Sequence, residues 1–258
     1  MSWLAPIARA LDAAPAPVPV FLRDDDAGWG DERLLALLDV LAASGQPGPE
    51  AGPGRGRPRP DAGRGVPVDV AVIPDALGPA LARELLARPG IGLHQHGCSH
   101  ANHEPDGRKH EFGPSRPTAL QRADIAAGRE RLAALLGDRV DPIFTPPWNR
   151  CTPETGRCLL ELGFEVLSRE SRAEPLGLPG LAELPVHVDF VRLEPEELAR
   201  RAAAVVLAGG PLGVMLHHEV MDEGAMRRAG ELADLVAEHP GARPARMVEL
   251  AGAGAARA

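Results

Sequence analysis

Tyrosine is absent from the 258 residues, and aromatic side chains make up only 3% of them, so the core must be built from Leu, Val and Ala. Cysteine is also scarce. Three dispersed residues, Cys98, Cys151 and Cys158, make no disulfide framework, which favours a reducing compartment. No apolar run approaches the ~20 residues needed to cross a bilayer, so no membrane partner is expected. The first residues lack the basic start and continuous apolar stretch of a secretory signal, and the expectation is a soluble, cytoplasmic protein. Positive charge is in deficit: 28 Lys and Arg stand against 36 Asp and Glu, a formal net charge of −8. With no basic stripe to follow a phosphate backbone, nucleic acid is not expected as a partner.

Hydrophobic residues reach 44%, enough for a substantial core. They fall into short apolar runs alternating with stretches of helical period. Strands are expected over 18–22, 68–73, 91–93, 142–145, 164–167, 184–190 and 212–216. Helices are expected over 32–43, 77–87, 118–136, 153–162, 196–208 and 226–238, with Thr118 as an N-cap and Gly137 as a stop. The tail after Leu250 reads as frayed. Such alternation implies a parallel sheet, open or closed into a barrel. Residues 46–65 are low-complexity Gly/Pro/Arg sequence that cannot bury a core. Their flanks would join without them, so they read as a disordered insertion within a single domain, 1–258. The polar stretch 101–117 is long enough to suggest a task, and Lys109, Glu111 and Arg116 within it face either solvent or a polar substrate.

Four polar clusters fall at the C-terminal ends of expected strands, the rim where such folds place their sites. They are Asp24-Asp25-Asp26, the histidine-rich stretch 93–104, Pro146-Pro147-Trp148, and His217-His218. His96 and His100 are four residues apart, which lets both imidazoles reach one metal ion. A carboxylate with two histidines leaves coordination positions open for water and substrate. Asp25 and Asp26 supply two carboxylates, one to ligate and one to take a proton from water. A histidine across the site would protonate the leaving group.

These residues resemble the polysaccharide deacetylases, the NodB-homology or carbohydrate esterase family 4 group. Arg23-Asp24-Asp25-Asp26-Ala27 resembles the family's Thr-Phe-Asp-Asp-Gly. His96-Gly97-Cys98-Ser99-His100 resembles its His-Ser/Thr-x-x-His, and Thr145-Pro146-Pro147-Trp148 its Arg-x-Pro-Tyr/Trp. Met215-Leu216-His217 or Leu216-His217-His218 resembles its Leu-x-His. Order and spacing agree over residues 18–222. The resemblance implies a distorted (β/α) barrel of about seven strands. It also implies Asp25 as general base, Asp26, His96 and His100 as metal ligands, and His217 or His218 as general acid. Trp148, through its backbone N–H and ring, with its neighbours Pro147 and Asn149, would meet the substrate and its oxyanion; the prolines have no N–H to offer. Asp24, His103, His187 and Asp189 would stand behind them. The metal is expected to be Zn2+, with Co2+, Ni2+ or Mn2+ as alternatives.

The chain also departs from the family pattern. Thr145 stands where the family has the Arg that positions the catalytic Asp. Asp24 replaces the Phe of the first motif, and Ser168-Arg169-Glu170 occupies the region of the fourth. The expectation is a divergent deacetylase that releases an N- or O-linked acetyl group from a carbohydrate or other small molecule. The alternatives are another metal-dependent C–N amidohydrolase, a metal- or sugar-binding barrel without turnover, and an isomerase or phosphoesterase on a similar barrel.

Overall fold

The computed structural model describes residues 2–45 and 65–255. The stretch 46–64, most of the expected insertion, lies outside the described residues. Its flanks meet: the Val66 N–H donates to the Leu41 carbonyl at 3.0 Å.

Among the described residues the strands are β1 (Val18–Ala27), β2 (Val68–Val72), β3 (Ile91–His96), β4 (Val140–Thr145), β5 (Val166–Leu167), β6 (Ala182–Glu183), β7 (Val188–Asp189), β8 (Leu212–Leu216) and β9 (Ala242–Pro244). They pair in the order β6-β5-β4-β3-β2-β1-β8-β7, all in parallel, with β9 beside the start of β1. Of the expected strand at 184–190 only β7 forms as a strand, and β6 lies just ahead of those bounds at Ala182–Glu183. Pro185 lies between them and has no N–H for a ladder. This one run still closes the curled sheet. The Val186 N–H reaches Arg169 on the β5 side, and the His187 N–H reaches Gly213 on the β8 side. The result is a distorted (β/α) barrel with seven strand positions.

Helices α1 (Ala5–Ala13), α2 (Asp31–Ala43), α3 (Pro79–Ala87), α4 (Thr118–Leu136), α5 (Pro153–Glu161), α6 (Pro195–Leu207), α7 (Glu223–Glu238) and α8 (Met247–Ala255) surround it. Two differ from the sequence expectation. Helix α1 is short and rich in Ala, so its periodicity is faint, yet it buries Ile7, Ala10 and Leu11. Helix α8 replaces the expected frayed tail. Its Met247 is fully buried among Phe21, Ile143 and Met215, and Arg246 before it pairs with Asp69 and Asp141 at the starts of β2 and β4. Arg246 and Met247 therefore plug the bottom of the barrel. Thr118 is not a cap: Pro117 holds that position, without a side-chain bond, and Gly137 ends α4 with φ 60°.

Strand parity decides what faces inward, since alternate residues share a face. On β1, Val20 and Leu22 join the large core beneath the helices, while Phe21 points into the barrel with Ile143, Val166 and Met215. The same parity sends Arg23 and Asp25 inward and Asp24 outward. Gly213 is required opposite Phe21, because a Cβ there would lie 2.4 Å from the Phe21 ring.

Candidate active site

The barrel mouth holds a cavity of about 830 Å³. Among the described residues four non-glycine residues have a left-handed backbone: Asp26 (φ 72°), His100 (φ 58°), Trp148 (φ 56°) and Asn149 (φ 59°). All four line this cavity. Such conformations are costly outside glycine and concentrate where side-chain placement matters.

Asp26 owes its position to a break in β1. The β1–β2 register shifts between Asp24 and Ala27, and Asp26 turns into the left-handed region at that irregularity. Two adjacent carboxylates, Asp25 and Asp26, thus face the same mouth, which regular alternation forbids. His96 ends β3 on its inward face. Gly97 then makes a turn that no other residue fits: its φ is 59°, and a Cβ would lie 2.1 Å from the Glu111 carboxylate. Glu111 is fully buried and accepts hydrogen bonds from the Cys98 and Ser99 N–H groups, fixing the turn that delivers His100. Glu111 is therefore no substrate contact, and Arg116 is engaged with Asp124.

The Asp26, His96 and His100 ligand atoms lie within 4.8 Å of one another. His96 Nε2 is 3.1 Å and His100 Nε2 3.2 Å from the same Asp26 oxygen. His96 Nδ1 lies 3.1 Å from the Thr145 carbonyl, an acceptor only, so Nδ1 carries the hydrogen. In the neutral ring Nε2 then presents a lone pair to a carboxylate, an arrangement that needs a cation: a proton or a metal ion. A ring nitrogen fixed through its partner nitrogen is the usual support of a metal-bound histidine. His100 is held between two indoles, 4.8 Å from the Trp29 ring and 4.6 Å from the Trp148 ring. Burial alone would raise the Asp26 carboxyl; hydrogen bonds from His100 and His96, with their charge, hold it well below the usual carboxylate range. Burial works against the His96 imidazolium, but the Asp26 hydrogen bond and the charges of Asp25 and Asp26 raise its pKa. The pocket is thus shaped to favour positive charge.

Asp25 is gripped by Arg23 in a bidentate pair, Nε to Oδ1 and Nη2 to Oδ2, both 2.8 Å. Arg23 is fully buried and also donates to Ser168 Oγ and Asn149 Oδ1 at 2.8 Å and to the Met215 sulfur at 3.0 Å. Residue 145, where the resemblance looks for this guanidinium, holds a threonine whose hydroxyl lies 2.9 Å from His94 Nε2. The guanidinium comes instead from β1, two residues before the aspartate it holds. Asn149, expected at the substrate, lines the cavity but uses its amide on Arg23 and Met215. Pro147 packs below the mouth against Gly97 and does not line the cavity.

The two histidines after β8 separate clearly. His217 keeps inward parity, lines the cavity, and places Nδ1 4.0 Å from Asp189. His218 is fully buried and, unlike His217, does not line the cavity. Its Nδ1 lies 2.6 Å from Asp24 and its Nε2 2.6 Å from the Trp29 carbonyl. Both partners are acceptors, so both ring nitrogens carry hydrogen and the ring is an imidazolium. Burial would lower its pKa, but the Asp24 charge and hydrogen bond push it up to about 9. Asp24 and His218 thus tie β1 to the Trp29 backbone behind His100. His187 lines the cavity and its Nδ1 accepts from the Gly213 N–H; burial lowers its pKa. His103 does not line the cavity.

A stability prediction follows. The His218 contribution is fully present below the unfolded value of about 6.5 and is lost as pH rises through about 9. Thermal melts of the wild type at rising pH should show Tm falling from neutral to alkaline pH. The His218→Asn variant should start lower and show a flatter slope; identical slopes would contradict the assignment.

No family model and no curated protein matches the sequence. Solved structures do match. A Mycobacterium smegmatis protein assigned by inference to the polysaccharide deacetylases superposes with a TM-score of 0.67 at 19% identity, covering 95% of each chain. The chain has the fold of the polysaccharide deacetylases. A family 4 carbohydrate esterase from Streptomyces lividans, in complex with acetate, gives 0.57 at 13% identity over 91% of this chain and 94% of that one. The peptidoglycan deacetylase PdaC from Bacillus subtilis gives 0.58 at 12% identity, covering 94% of each. Within this deacetylase fold, Arg23 is the site residue that motif matching passes over. The signal for it is the i, i+2 parity with Asp25 on one strand.

Proposed function

We propose that the chain is a metal-dependent hydrolase that removes an N- or O-linked acetyl group from a sugar-like compound. The observation that carries this reading is the convergence of Asp26, His96 and His100, with His96 Nδ1 fixed by a carbonyl, beside a second carboxylate, Asp25. A divalent cation held by those three residues would polarise the acyl carbonyl and lower the pKa of water. Two nitrogens and one oxygen suit Zn2+, with Co2+, Ni2+ or Mn2+ as alternatives. Asp25, both oxygens oriented by Arg23, retains lone pairs to accept the proton of the attacking water. The Trp148 N–H has no intramolecular acceptor among the described residues and would donate to the oxyanion of the tetrahedral intermediate. His217, beside Asp189, would return a proton to the departing nitrogen or oxygen. The acetate in the Streptomyces lividans esterase structure supports acetyl as the acyl group.

The same reading treats 1–258 as one barrel domain with 46–65 as an insertion. It also places the protein in the cytoplasm, in keeping with three free cysteines. A barrel without turnover would have drawn its support from Thr145; the Arg23–Asp25 pair removes that support.

Purified protein should release acetate from at least one member of a panel of acetylated sugars and small amides. Chelation should abolish release, and added Zn2+ should restore it. Release from no compound, or release indifferent to chelation, would contradict the proposal.

A further inference from the structure

We infer that the substrate carries an anionic group, carboxylate or phosphate, close to its acyl group, and that Arg108, Lys109 and Arg150 bind it. This deepens the acetyl-hydrolase reading and rests on it for the position of the acyl group. The chain contains 27 arginines and a single lysine, Lys109, and that lysine lines the mouth of the cavity. Its ammonium sits 5.8 Å from the centroid of Trp148. The centroid of the same Trp148 ring lies 4.6 Å from that of His100, so one indole touches both the cation and a candidate ligand.

Arg108 and Arg150 line the same edge, and Arg150 Nη1 donates to the Lys109 carbonyl at 3.2 Å, which holds the two residues together. None of the three has a carboxylate partner among the described residues. The arginines across the mouth differ: Arg172, Arg192 and Arg201 each face a glutamate or aspartate. Asp25 is neutralised by Arg23, and Asp26 faces two imidazoles. Glu219 also lines the cavity and is the one lining acid without a cation partner among the described residues; against it stand three unpaired cations, so the unbalanced charge at the mouth is positive, in a protein whose formal net charge is −8. A concave site with charge opposite to the rest of its surface concentrates ligands of the complementary sign. A neutral sugar gains nothing from this edge. An anionic group one sugar width from the acetyl carbonyl gains three cations, two of them arginines that suit planar or tetrahedral oxyanions.

The test is calorimetric binding of N-acetylglucosamine, N-acetylglucosamine 6-phosphate and N-acetylmuramic acid to the purified, metal-loaded protein, with acetate release measured in parallel. At about 50 mM salt at least one anion should bind roughly tenfold more tightly than the neutral sugar, and the gap should narrow at about 500 mM. The anion preferred tells phosphate from carboxylate. The preference should vanish in the Arg108→Gln/Lys109→Met/Arg150→Gln variant, whose melting temperature provides the folding control. Absence of any anion preference, or a preference that survives in the triple variant, overturns the inference. Acetate release without preference leaves the hydrolase reading intact while refuting this one. Anion preference without acetate release from any compound does the reverse.

Discussion

Replacing Arg23 with methionine should lower Tm by roughly 10 °C and reduce kcat by about 10²-fold or more, with metal content unchanged. The stability loss follows from burial. Arg23 is fully buried and Asp25 is 2% exposed. Removing one partner of a buried ion pair leaves an uncompensated charge and typically costs about 3–5 kcal/mol. In a chain of this length each kcal/mol lowers Tm by roughly 2–4 °C. The catalytic loss follows from placement. Arg23 fixes both oxygens of Asp25 and is itself fixed by Ser168, Asn149 and Met215, from three other parts of the barrel. A displacement of about 1 Å in a catalytic group can cost 10²-fold. Arg23→Lys separates the two effects. It keeps the charge but loses the planar two-point grip. It should melt closer to wild type and still show a large fall in kcat with little change in KM. A lysine variant with normal kcat would show that charge alone suffices and that the grip is incidental.

Asp26 and Asp25 are adjacent in sequence, yet their variants should fail in opposite ways. Asp26→Ala removes the only carboxylate of the candidate ligand set, and His96→Ala removes the imidazole whose tautomer Thr145 fixes. Altering groups merely behind a metal ligand costs about 10–100-fold in affinity, so losing a ligand should cost more. Both variants should emerge from purification without metal and without activity. Asp25→Asn leaves those three residues in place. It should retain metal and lose about 10²–10⁴-fold in kcat, the range expected for removal of a general base.

Much of the barrel was legible because its signals are local. The helix over Thr118–Leu136 and the strand over Leu212–Leu216 follow from apolar spacing and a stopping glycine. Helix α8 was not legible, because its stability comes from Met247 filling the barrel floor and from Arg246 meeting Asp69 and Asp141, contacts with residues far away in the sequence. At the site, His96 and His100 stand out because their spacing is short. The choice between His217 and His218 needs the inward parity of β8, which only the packing of Gly213 and Met215 against Phe21 reveals. Glu111 looks like an exposed loop acid, but its role depends on the turn at Gly97, whose geometry no spacing rule supplies. Arg23 is the instructive case. Strand parity alone places it on the face of Asp25, whereas a search for arginine at position 145 finds only a threonine.

The most direct test of the proposed metal site is elemental analysis of the purified wild type beside Asp26→Ala, His96→Ala and Asp25→Asn, each confirmed as folded by its melting curve. The proposed function predicts about one equivalent of a divalent transition metal in the wild type and in Asp25→Asn, and essentially none in the other two. Stoichiometric metal retained in both Asp26→Ala and His96→Ala would contradict the assignment, as would a wild type that takes up no metal.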